Sequence, residues 1–228
     1  MRVLILVLAV YMGAMSLAAQ ADNLTLSGFG SGEYLLKVTS LKEARFKATT
    51  RQQYDFSCGS AAIATLLTHH YHYPVTEQTV FQEMFKRGDQ EKIRREGFSL
   101  LDMKNYLNAH QFQADGFELP LNKLLESRLP AIVLIADKGY RHFVVIKGMQ
   151  DGRILIGDPS TGTRAVSREN FDAMWVNKLL FVIHNRQSIA VFNNQLDWQV
   201  APKAPLATGI QLDSLASMAL GKFGPGDY

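Results

Sequence analysis

Cysteine is almost missing from this chain: Cys58 is the only one in 228 residues. A lone thiol closes no internal disulfide and excludes any Cys-x-x-Cys zinc site. It persists either as a small buried hydrophobe or for use. Net charge is scarce too. The 24 Lys and Arg against 21 Asp and Glu leave +3, too mild to argue for nucleic acid or a lipid surface as partner. After the first 21 residues no apolar run suits a membrane span of about 20 residues. Gly28-Phe29-Gly30-Ser31-Gly32 has no strand before it and no Lys after it, so a phosphate loop is not expected. His69-His70-Tyr71-His72 lacks the i, i+4 spacing of helical zinc ligands and reads as a polar helix end suited to the dipole. No cofactor and no metal are expected.

What is present begins with an export signal. Arg2 supplies a positive start, Val3 to Val10 an apolar core, and Ala19-Gln20-Ala21 a small-x-small cleavage pattern before Asp22. Residues 1–21 therefore read as a secretory signal, with an uncleaved anchor as the alternative, and place the mature chain in the periplasm. Cleavage leaves roughly 200 residues, enough for one domain with a core. Residues 22–48 read as a leader segment, 49–185 as the domain, and 186–228 as an appendage or partner-binding tail, in which Ile210 to Leu220 has amphipathic helical spacing.

Within the domain the hydrophobic period changes once. Cys58 to about His70 reads as a buried helix stopped by Pro74,. Thr76 to Arg87 is a second, with Val80, Phe81, Met84 and Phe85 on one side,. Asp89 to Glu96 is a charged run, read as a solvated face or mobile loop. Ser99 with Asp102 has capping-box character ahead of a third helix, whose buried side is Leu100, Leu101, Met103, Tyr106 and Leu107,. Leu121 to Leu129 is a short fourth. After Pro130 come four β-rich runs: 131–136, 142–147, 153–157 and 179–184. Asp151-Gly152 marks a hairpin, and 167–175 a short helix or turn. Helices first and antiparallel sheet second make an α+β domain.

Cys58 sits where a turn-forming loop opens the Ala-rich helix, so unpaired N–H groups and the helix dipole favour its thiolate. Burial would do the opposite. A cysteine nucleophile also needs a base, an orienter and an oxyanion donor. His142 opens one strand and Asp158 closes the next. A symmetric two-residue turn at 151–152 would put them on opposite faces, so a working pair requires an odd loop or a bulge. Taken separately, His142 could be a structural histidine and Asp158-Pro159 a turn start.

The order Cys, His, Asp, with Gln52 six residues before Cys58 and His142-Phe-Val-Val-Ile followed by Asp158-Pro159, resembles the bacteriocin-processing, double-glycine-leader peptidases. These are papain-like cysteine peptidases, family thirty-nine of their class, and the likeness covers roughly 49–184. It implies a papain-like fold with N-terminal helices packed on a C-terminal antiparallel sheet. It also implies catalysis by Cys58 as nucleophile, His142 as base, Asp158 as orienter and Gln52 in the oxyanion hole. Gln53 is the adjacent amide, set aside only by spacing. With a signal and no Walker motif or transmembrane bundle, the chain resembles a stand-alone exported form of the family such as functional-amyloid operons encode. The implied partner is a protein or peptide substrate, an amyloid subunit or an outer-membrane export component. Two other readings stay open: a papain-like cell-wall amidase or transglutaminase-like enzyme, and a non-catalytic module that binds an exported substrate.

Overall fold

The computed structural model describes residues 23–25, 35–37, 39–137 and 139–202. The expected signal, the glycine cluster and the helix at 210–220 lie outside them. The chain divides into one unit up to Ala44 and one from Arg45. In the first, β1 (Asn23–Thr25) pairs antiparallel with β2 (Leu35–Lys37). A short helix, α1 (Leu41–Phe46), crosses the division.

The second unit opens with the helix layer. Its centre is α2 (Cys58–His70), buried along nearly its whole length. A helix apolar all round must be surrounded, and its alanines let neighbours approach closely. Around it stand α3 (Glu77–Arg87), α4 (Gln90–Glu96) and α5 (Leu100–Ala109). Thr76 caps α3, and Ser99 and Asp102 form the full capping box of α5. The charged run 89–96 is helical rather than a loop. Asp89 accepts from Lys92 N, Ile93 is buried, and Gly97 closes the helix at φ +80°. With one apolar residue in seven, its pattern is too sparse to read from sequence. Leu101 is 65% exposed, against expectation, because it lies one residue off the stripe of Met103, Tyr106 and Leu107. His70 is no solvated helix end either. It is buried, its Nδ1 meets Val191 O at 2.7 Å, and burial lowers its pKa to about 3.

The sheet has six antiparallel strands in the order β3-β8-β4-β5-β6-β7. They are β3 (Ala114–Phe117), β4 (Ala131–Asp137), β5 (Tyr140–Gln150), β6 (Arg153–Asp158), β7 (Gly162–Ser167) and β8 (Leu180–Ile183). Two more strands exist than the four expected. Both extra ones, β3 and β7, are edges, where no alternating apolar pattern is required. One face of the sheet packs on α2 through Phe143, Val145 and Phe181. The other, through Val144, Ile146 and Ile156, packs on α6 (Asn122–Ser127) and α7 (Arg168–Met174). The architecture is α+β, with N-terminal helices packed on a C-terminal antiparallel sheet.

The β5–β6 hairpin turns at Asp151 and Gly152, φ +53° and +70°, the two positive values of a tight two-residue turn. Gln150 opposes Arg153, but the register slips between Ile146 and Gly148. Lys147 is therefore the extra residue of a β-bulge. Its side chain is fully buried, with Nζ 2.8 Å from Asp197 Oδ2 and 2.5 Å from Ala48 O. Asn193 donates its N–H to Lys147 O, and its amide serves both N and O of Met149. After a 3-10 turn (Gln187–Ile189), Asn193 and α8 (Gln195–Trp198) thus bind the sheet, so packing shows no break at 186. Breaking a buried ion pair from one side costs about 3–5 kcal/mol. Asp197→Ala should lose that much unfolding free energy by denaturant titration, and Lys147→Met with Asp197→Leu markedly less.

Candidate active site

Three segments converge at the start of α2. The loop before it is tied down at Thr49, whose Oγ1 lies 2.7 Å from Thr163 Oγ1, and at Thr50, whose N–H donates to Thr65 Oγ1. The N-cap residue of α2, Ser57, makes no side-chain cap bond. Its Oγ is used by Tyr54 N and O instead. The first helical N–H groups are therefore left over, and those of Cys58 and Gly59 act on the Cys58 thiol, together with the N–H of Phe143 from β5. A Cβ at Gly59 would come within 3.0 Å of Phe98 Cβ, which explains a glycine directly after the cysteine. Cys58 is 7% exposed. Burial pushes its thiol up, and the three N–H groups only partly offset this.

His142 and Asp158 meet as the bulge requires. Val145 opposes Gly157, so His142 and Asp158 share a face two positions apart along the ladder. His142 Nε2 and Asp158 Oδ2 are 3.1 Å apart, with both side chains buried. The second oxygen of Asp158 accepts from Ser160 N and Oγ and from Thr161 N. Burial alone would raise this carboxyl, but the bonds from His142 and Ser160 outweigh it and hold the group well below the usual range. A carboxylate only accepts, so the Nε2 of His142 carries the proton and Nδ1 a lone pair. That Nδ1 is buried and makes no hydrogen bond. The strand residue whose N–H acts on the thiol, Phe143, directly follows His142, and the free Nδ1 of the ring has no hydrogen-bond partner.

Gln52 is held by its backbone, whose N–H donates to Pro159 O at 3.1 Å beside Asp158. Its Nε2 donates to Tyr54 O, and its Oε1 is buried without a partner. One amide hydrogen remains for another acceptor. Gln53 is exposed. Two contacts were not foreseen. Tyr140 lies over the His142 ring at 5.4 Å, its hydroxyl donating to Asp55 O. Arg164 on β7 places Nη2 3.3 Å from Asp158 Oδ2 and 3.0 Å from Asp137 Oδ2. Tyr140 was legible in principle, two residues before His142 on one strand. Arg164 was not, because β7 had no visible pattern. Among the described residues no cluster of His, Cys, Asp and Glu is placed to hold a metal, and no helix is long and apolar enough to cross a membrane.

A profile described as the Peptidase C39 family matches residues 47–187. The chain belongs to that family. The "Probable functional amyloid protease FapD" of Pseudomonas fluorescens is 38% identical over 72% of this chain and 72% of its own. The protein of the same name from Pseudomonas aeruginosa is 38% identical over 80% of each. The crystal structure of the peptidase domain of Streptococcus ComA superposes with TM-score 0.50 at 22% identity, covering 60% of this chain and 97% of that one, which supports the fold. This C39 protein is a cysteine peptidase, and its substrate is a protein or peptide.

The buried thiol gives a direct expectation. Iodoacetamide labelling of the folded chain should be slow at neutral pH, with its midpoint above the ordinary thiol value of 9.0. A lower midpoint would mean that the N–H groups outweigh burial in the resting site.

Proposed function

We propose that this peptidase works in the periplasm after loss of residues 1–21, cutting a functional-amyloid component or part of its export machinery. The observation that carries the chemistry is the buried His142–Asp158 pair with an unbonded Nδ1, one residue along β5 from the strand contact of Cys58. The export setting rests on the Arg2, Val3–Val10 and Ala19-Gln20-Ala21 pattern. The amyloid setting rests on the relationship to the two Pseudomonas proteins.

In this reading the Cys58 proton passes to His142 Nδ1, the nitrogen that Asp158 leaves free. The thiolate adds to the scissile carbonyl carbon. The carbonyl oxygen gains the negative charge and is met by the spare hydrogen of the Gln52 amide and by backbone N–H at the start of α2. Collapse of the tetrahedral species expels the amine, which takes the proton from His142. Water, deprotonated by the same ring, then hydrolyses the thioester and restores the thiol. Asp158 keeps the ring in one tautomer throughout and stabilises the imidazolium. The thiol–imidazole bond absent at rest forms once substrate fills the cleft, as catalytic contacts often tighten only in the complex.

N-terminal sequencing of exported proteins from cells carrying either wild type or Cys58→Ala tests this reading. At least one new N-terminus in an amyloid or export component should depend on Cys58 and on His142. On that substrate Gln52→Ala should lower kcat by about 10²–10³-fold, the usual cost of one oxyanion donor. Equal processing by Cys58→Ala would overturn the assignment.

A further inference from the structure

The acceptor atom that holds the His142 ring is shared. Asp158 Oδ2 lies 3.1 Å from His142 Nε2 and 3.3 Å from Arg164 Nη2. Asp158 Oδ1 is already occupied by three donors from Ser160 and Thr161. The imidazole N–H and the guanidinium therefore share one oxygen. Arg164 is itself divided. The same Nη2 lies 3.0 Å from Asp137 Oδ2, while its Nε is buried without a hydrogen bond. The guanidinium touches both acids through a single nitrogen, with the closer contact to Asp137. Topology explains the meeting. Asp158 opposes Gly162 across β6 and β7, which puts Arg164 on its face two positions on. Asp137 closes β4 beside Tyr140, at the start of the strand that carries His142.

The exposures divide the labour. Asp158 is 1% exposed, Arg164 25% and Asp137 31%. Asp137 and Arg164 are close enough to solvent to rearrange, whereas Asp158 is not. A guanidinium on Oδ2 withdraws negative charge from the imidazole side of the carboxylate, and Asp137 pulls that guanidinium away. We propose that Arg164 is a positioning residue that sets the basicity of His142 through Asp158, and that Asp137 sets how strongly it acts. This rests on His142 being the base. The other groups near the ring are the Cys58 thiol at the start of α2 and the Tyr140 phenol stacked on it. Asp55, from the loop before α2, takes the Tyr140 hydroxyl on its backbone oxygen.

The test is an NMR titration of the His142 ring in the full chain carrying Cys58→Ala, which removes coupling to the thiol. Arg164→Met is expected to raise the titration midpoint by about one pH unit, the lower end of the effect of a charge at this range. Asp137→Asn is expected to lower it. With Asp158→Asn added, the shift from Arg164→Met is expected to collapse, because the path runs through that carboxylate. With the cysteine restored, the acid limb of kcat/KM, where the base becomes protonated, should move in the same two directions with KM little changed. The same sign for Arg164→Met and Asp137→Asn overturns the proposal. So does a full Arg164→Met shift in the Asp158→Asn background, which would mean simple through-space charge. If Asp158→Asn does not fold, the His142 Hε2 resonance decides: Arg164→Met should move it downfield as the bond to Asp158 Oδ2 strengthens, and an unmoved resonance means simple through-space charge and overturns the proposal. A His142→Ala enzyme that still cleaves would sink the assignment of the base while leaving the measured coupling intact.

Discussion

One extra residue in β5 governs the geometry of this protein. Side chains on a strand alternate with a period of two, so a regular β5–β6 hairpin turning at Asp151 and Gly152 would send His142 and Asp158 to opposite faces. Lys147 supplies the odd residue, and the register slip at that point brings the two side chains together. A bulge leaves backbone groups out of the ladder, and here Asn193 takes them up. It also turns a lysine inward, which is tolerable only with a counter-charge and an acceptor. Asp197 and the carbonyl of Ala48 provide these. The pairing of imidazole and carboxylate thus depends on residues outside both strands that carry it.

The resting nucleophile shows two opposed effects with unequal magnitudes. A helix N-terminus stabilises a nearby anion by about 0.3–1 kcal/mol, and up to about 2 in partly buried settings. Burying an ion without a partner costs several kcal/mol. With no hydrogen bond from the imidazole to share the charge, burial prevails and Cys58 rests as a thiol. Neutral thiols are poor nucleophiles and poor targets for oxidation. The carboxylate behind His142, by contrast, is fully ionised and saturated with donors. The supporting half of the site is assembled before the reacting half.

Sequence carried the elements whose signals are local and left out those set by tertiary pairing. The Ala-rich run after Cys58, the Ser99–Asp102 box and the Asp151-Gly152 turn each state their own structure and occur at those residues. The spacing of His142 and Asp158 even implied the irregularity that turns out to be Lys147. Asp89–Glu96 escaped because a seven-residue helix with one buried side chain has almost no period. β3 (Ala-Asp-Gly-Phe) and β7 (Gly-Thr-Arg-Ala-Val-Ser) escaped because their partners, not their composition, make them strands. Missing β7 hid Arg164, which reaches Asp158 only across a strand pair. Pairing of Lys147 with Asp197, 50 positions apart, leaves no mark in any window of the chain.

The clasp of Asn193 and Asp197 on the bulge also bears on what counts as one domain. The family profile's match ends at residue 187, yet Trp198 is buried and Arg153 stacks on it while donating to Ala201 O. A boundary drawn from sequence likeness would cut inside the hydrogen-bonded frame and strand an ammonium in the sheet. The segment after β8 behaves as an integral buttress, so any transplant or fusion of this peptidase has to keep at least Asn193, Asp197, Trp198 and Ala201 to hold its register.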